Sequence, residues 1–219
     1  MRLKIYLLTV VCSLIFSVNS LAQSADDLPS PYPDYQEDEF MDMDFEPNLM
    51  TPKVPAEAQK AVSSYINKVG KSLKNKYTID ITRNNDVFVV VVPTDDLFLP
   101  NDTLFSKDAD RILTPVLDLM KDPYMYKIVV ALHTDDTGSE GYRQNLSTSR
   151  IYSVYDWLMD EIDEGKISED IVIVPYAMGS NMPLVSNDTR KNRKENRRLE
   201  FYFIPGPKLI ENALNKKLK

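Results

Sequence analysis

Cysteine, histidine and tryptophan each occur once in the 219 residues, at Cys12, His133 and Trp157, and glycine occurs only six times. One cysteine leaves no pair for an internal disulfide, and one histidine with at most one thiol cannot assemble a zinc ligand set. Few glycines beside 14 prolines exclude a collagen-like repeat. A basic excess is also missing: 26 Lys+Arg face 33 Asp+Glu, a formal charge of −7 that argues against nucleic acid as a partner. No Gly-x-Ser-x-Gly elbow occurs, and Ser147 and Ser149 have only His133 as a nearby base, which argues against hydrolysis and for a protein that is not an enzyme.

The 43% hydrophobic content rules out wholesale disorder, and the length suits one domain with appendages. Residues 23–52 carry nine Asp/Glu and no Lys or Arg. With only Arg2 and Lys4 charged before them, residues 53–219 are left formally neutral.

Arg2 and Lys4 precede the apolar run Ile5 to Val18, which is broken by Ser13 and Ser17 and ended by Asn19. Such a run falls short of the ~20 continuous apolar residues that span a bilayer. With Ser20 and Ala22 at the small-residue positions, residues 1–22 read as a secretory signal peptide cut after Ala22. Cys12 sits mid-run, behind Thr9, Val10 and Val11, not where a lipid anchor needs it, so the mature chain has no thiol chemistry. Residues 23–55, with six prolines and clustered acids, predict an extended acidic tether. Tyr32, Tyr35, Phe40, Met41, Met43 and Phe45 are interleaved there, a composition that can fold on a partner.

From Ala56 the hydrophobic period alternates between helix and strand. Ala58, Ala61, Val62, Tyr65, Ile66, Val69 and Leu73 fall on one face of a helix of about five turns. Residues 77–82 and 87–93, separated by Asn84-Asn85-Asp86, predict a hairpin. A helix capped by Ser106 follows, then strand 127–132, a helix with Ile151, Val154 and Leu158 on one face, and strand 170–177. Strand 198–204 and a short amphipathic helix over 207–219 complete the chain. The fold class is α/β (α+β): a mixed sheet with helices packed on it.

Residues 133–150, HTDDTGSEGYRQNLSTSR, lie at the carboxyl end of a predicted strand, where such sheets bind ligands. Asp135 supplies an acceptor, Gly138 a residue able to take positive φ, and Arg150 a planar five-donor cation. The pair suits a zwitterionic amino-acid head group, although an Asp/Arg pair is more often a plain structural ion pair. His133 is read as orienting this loop by a hydrogen bond, with no metal and no cofactor. Arg190, Lys191, Arg193, Lys194, Arg197 and Arg198 form a basic run, read as a solvated helix face.

Five short motifs in this half of the chain stand in a shared order: HTDDTGS (133–139), LSTSR (146–150) with Val154 four residues on, GSNMP (179–183), NDT (187–189) and NRRLEF (196–201). Together they resemble the C-terminal OmpA-like domain, the peptidoglycan-binding module of Gram-negative envelopes, from about Val87 to Ile204. The resemblance implies a βαβαβ-type domain over residues 56–206 that binds the diaminopimelate of the stem peptide without covalent chemistry. It implies a periplasmic location at the outer membrane and cell wall, with an outer-membrane or periplasmic protein engaging residues 23–55. Asp135 and Arg150 match the residues that grip the amino and carboxylate ends of the ligand. Thr134 and Gly138 match turn positions, and Arg197 the first arginine of the NRR motif, near the ligand site. Arg198 is expected to face an acid on a neighbouring element. Four positions depart from the family pattern: Leu132, Arg143 in place of Asn, Ile151 and Asn192. Asn145 stands near enough to Arg143 to substitute for the missing Asn. The alternative is a protein-interaction subunit of an envelope assembly that keeps the fold with a degenerate site.

Overall fold

The computed structural model describes residues 31–33, 35–50, 52–82 and 86–218. Tyr32–Lys219 form one compact unit. The expected signal peptide (1–22), residues 23–30 of the expected tether and the Asn84-Asn85 turn lie outside the described residues.

The elements follow in chain order: α1 (Asp38–Met41), α2 (Phe45–Asn48), α3 (Ala56–Leu73), β1 (Thr78–Thr82), β2 (Val87–Pro93), α4 (Thr94–Leu97), α5 (Ala109–Leu117), β3 (Tyr126–His133), α6 (Glu140–Asp163), β4 (Ile173–Gly179), α7 (Arg190–Asn196), β5 (Arg198–Pro205) and α8 (Pro207–Leu214). The sheet order is β1-β2-β5-β3-β4. All neighbours are antiparallel except β3 and β4, which are parallel and joined by the long crossover helix α6, as parallel pairing requires.

The predicted helix before the hairpin is present as α3, which buries Ala58, Val62, Ile66 and Gly70 at four-residue spacing. Strand β3 is buried at every position because both faces of the sheet are covered. Ile128, Val130 and Leu132 enter the larger core, under α3, α5, α6 and α8, while Val129 and Ala131 face a second cluster on the other side. Double coverage explains the unbroken β-branched runs in β2 and β3. Helix α5 begins later than the Ser106 reading; the Ser106 hydroxyl instead donates to the Asp96 carbonyl and accepts from the Asp108 amide.

The tether reading needs correction for its described part. Residues 35–49 lie on the sheet face opposite the long helices, where Phe45 and Leu49 pack against Val87, Val89, Val129, Val174 and Ile204. Phe45 meets the Tyr176 and Tyr202 rings edge-on at 5.2 and 5.8 Å. Asn48 is fully buried: its Nδ2 donates to the Phe40 carbonyl and to Tyr176 Oη, and its Oδ1 accepts from Lys127 Nζ at 2.9 Å. Burial pushes the Lys127 ammonium down to about 8, and it rests 4.3 Å from the Phe40 ring centre. An apolar sheet face has to be covered, and these aromatics, interleaved with acids that are exposed except for the half-buried Glu37, cover it.

Candidate functional site

Strand register brings the site together. Arg198 pairs across the sheet with Pro93 of β2 on one side and with His133 of β3 on the other. The residues just beyond these positions, Thr94-Asp95, Thr134-Asp135 and Arg197, therefore emerge side by side at one edge of the sheet. The Thr94 amide donates to the Arg197 carbonyl at 3.0 Å, which ties the β2 exit to that of β5, and the Thr134 amide donates to the Gly179 carbonyl at 2.8 Å, which ties the β3 exit to the end of β4.

Arg197 lies between two carboxylates. Its Nε and Nη2 donate to Asp95 at 2.7 and 2.6 Å, a bidentate pair, and its Nη1 donates to Asp135 Oδ2 at 2.5 Å. The other Asp135 oxygen accepts from the Thr137 amide at 2.8 Å. Burial opposes ionisation of Asp135, but the bonds from Thr137 and Arg197 outweigh it and hold the carboxyl below its ordinary value. Arg197 is raised by the Asp95 bond first, against burial, and then by Asp135.

Arg150 approaches from α6. Ser139 caps that helix by accepting from the Tyr142 amide, and Gly138 turns the chain into it at φ 87°. The Arg150 Nε donates to the Asp102 carbonyl at 2.8 Å and its Nη2 to the Leu99 carbonyl at 3.4 Å, with the guanidinium 4.8 Å from the Phe98 ring centre. Burial lowers its pKa, yet a guanidinium stays charged at neutral pH. Among the described residues no carboxylate pairs with it and its Nη1 makes no hydrogen bond.

Asp135, Arg150, Thr134 and Arg197 line one cavity of about 480 Å³, together with Asp95, Phe98, Leu99, Tyr142, Arg143 and Leu146. The aspartate and the arginine share this space without bonding to each other. Gly138 shapes the loop but does not line the cavity. Asn145 is exposed and does not line it either, because Arg143, Leu146 and Arg150 occupy the inward stripe of α6 and Asn145 falls off that stripe. Of the four departures from the family pattern, Leu132 and Ile151 are buried in the core and Asn192 bonds to Ser186 Oγ; only Arg143 reaches the cavity.

His133 Nε2 lies 3.0 Å from Glu200 Oε2, so its hydrogen bond joins β3 to β5 behind the site instead of holding the loop. Burial lowers the imidazole pKa against the Glu200 bond, which raises it, and the buried Nδ1 has no hydrogen-bond partner. Arg198 pairs with Glu200 on its own strand at 2.7 Å, not with an acid on a neighbouring element, since residues two apart on a strand face the same side. Arg190, Lys191 and Lys194 are exposed on α7, but the solvated-face reading fails for the rest of the basic run: Arg193 is half-buried and donates to the Asn187 carbonyl, Arg197 lines the cavity and Arg198 is buried on β5. Sequence reasoning missed Asp95, whose only signal was its place immediately after a strand end.

The model of the OmpA family matches residues 97–197, the span that contains Asp135, Arg150 and Arg197. The resemblance to the OmpA family is thus shown over residues 97–197. Beyond the OmpA match, "Probable lipoprotein YiaD" of Escherichia coli (strain K12) is 25% identical over 128 residues, 58% of this chain and 56% of YiaD. "Peptidoglycan-binding protein ArfA" of Mycobacterium bovis is 36% identical over 91 residues, 42% of this chain and 26% of ArfA. The chain thus spans about half of one of these curated relatives and about a quarter of the other. The fold is also that of a MotB-like protein from Desulfovibrio vulgaris, at a TM-score of 0.51 and 22% identity over 68% of this chain and 92% of that one.

Proposed function

We propose that the OmpA domain binds peptidoglycan non-covalently and anchors an envelope component to the cell wall, with the diaminopimelate head group of the stem peptide entering the cavity between Asp135 and Arg150. The observation that carries this reading is that the two side chains open into one cavity while Arg150 keeps an uncommitted donor and no carboxylate partner. A ligand carboxylate would take Arg150, and its ammonium would join Asp135, whose oxygens each retain a lone pair beside the Arg197 and Thr137 bonds. The relative ArfA, named for peptidoglycan binding, supports the same reading. The cavity holds charged donors and an acceptor, and the proposed role is binding.

The chain is proposed to act in the periplasm, exported by residues 1–22. Residues 35–49 are committed to the domain's own sheet, so an outer-membrane or periplasmic partner is proposed to meet the chain on their N-terminal side. Each charge-assisted bond contributes ~1.5 to 3 kcal/mol before ordering costs, so one head group gives micromolar or weaker affinity and the repeated ligand of the wall supplies the rest.

Co-sedimentation with purified sacculi tests this. The unaltered protein is expected in the pellet, and Asp135→Ala and Arg150→Ala are each expected to leave it largely in the supernatant with circular dichroism unchanged. Equal sedimentation of both variants would instead favour a protein-interaction subunit with a degenerate site.

A further inference from the structure

Arg143 has no role in the reading above. It lies seven residues before Arg150 on α6, two helical turns away and therefore on the same stripe, and it lines the same cavity. One arm is used locally: Nη1 donates to the Gly138 carbonyl at 2.5 Å and weakly to the Asp136 carbonyl at 3.3 Å. Its Nη2 makes no hydrogen bond among the described residues, while its Nε and the hydroxyl of Thr134 are unpartnered but closed off from the open space. A cavity that presents the unbonded Nη2 of Arg143 beside the uncommitted Nη1 of Arg150 is arranged for an acceptor from outside. Charge counting agrees. Arg143, Arg150 and Arg197 against Asp95 and Asp135 leave the lining at formal +1, complementary to a ligand of net −1.

We propose that Arg143 forms a second carboxylate position, so that the cavity selects a ligand end carrying two carboxylates and one ammonium. This rests on the peptidoglycan reading and narrows it: the preferred ligand is a stem peptide that ends at the diaminopimelate residue, where the C-terminal carboxylate is free and sits close to the head group held by Arg150. Converting that C-terminal carboxylate to an amide removes one charge and leaves the group at Arg150 intact.

Equilibrium titration of the full chain distinguishes the possibilities, using a tripeptide stem ending in diaminopimelate and the same peptide amidated at its C-terminal carboxylate. The unaltered protein is expected to bind the free acid about tenfold more tightly than the amide. In Arg143→Asn that preference is expected to vanish through loss of affinity for the acid alone, and Arg143→Lys is expected to recover part of it. If Arg143 merely braces the loop through the Gly138 carbonyl, the asparagine variant weakens both peptides equally and the preference survives, which overturns the proposal. A protein that does not discriminate between the peptides overturns it as well. If the unaltered protein also sediments with sacculi, the peptidoglycan reading stands without the second position; if it neither sediments nor binds either peptide, both fall.

Discussion

Glu200 shows how single residues behind the cavity set its stability. Burial works against its charge, yet His133, Arg198 and Tyr202 outweigh that and hold its carboxyl at about 2, against an ordinary 4.5. A folded value below the unfolded one stabilises the protein fully above the unfolded value, and the contribution is lost as pH falls toward the folded value. At neutral pH the contribution is on the order of 3 kcal/mol. Glu200→Gln is therefore expected to lower stability at pH 7 and to flatten the decline between about pH 4.5 and 2, measured by urea unfolding across that range. An unchanged slope would mean that Glu200 is not the group titrating there. Part of this residue-scale picture was readable in the sequence. Asp135 and Arg150 stood out as motif residues on either side of a helix start. Asp95 did not, because its partner Arg197 is 102 residues away and only strand register brings them together.

Elements were legible where one physical pattern dominated. The buried stripe of α3 and the β-branched runs of β2 and β3 announce themselves because each buries a regular set of positions against a large core. Strand β4 starts at Ile173, not at 170, although Ile171 and Val172 are buried, because an apolar run marks burial more directly than it marks ladder pairing. The segment with α1 and α2 was illegible for a different reason. Its helices are four residues each, too short to show a period, and its acids resemble those of a linker. Its anchors are Phe45, Asn48 and Leu49, and their energetic weight is testable. Phe45→Ala is expected to destabilise the protein by about 3 kcal/mol, near the lower end for a buried aromatic, and to speed hydrogen exchange at the Asn48 and Leu49 amides. An unaltered denaturation midpoint would show the segment to be dispensable to the sheet it covers.

At the scale of the molecule, the two sheet faces and the sheet edge have separate tasks. Helices α3, α5, α6 and α8 bury one face, residues 35–49 bury the other, and the ends of β2, β3 and β5 present the charged cavity. Binding through charge-assisted bonds in an open cavity is screened by salt, so retention on sacculi is expected to fall as ionic strength rises from 0.05 to about 0.5 M. Retention that does not respond to salt would point to an apolar contact elsewhere.

The most direct test follows the arginine side chains themselves by NMR during titration with a diaminopimelate-terminated stem tripeptide. The account predicts saturable shifts in the Arg150 Nε–H signal and the Thr137 amide, with the amides of residues 35–49 unmoved. Shifts confined to other surfaces, with Arg150 and Thr137 silent at saturation, would contradict it.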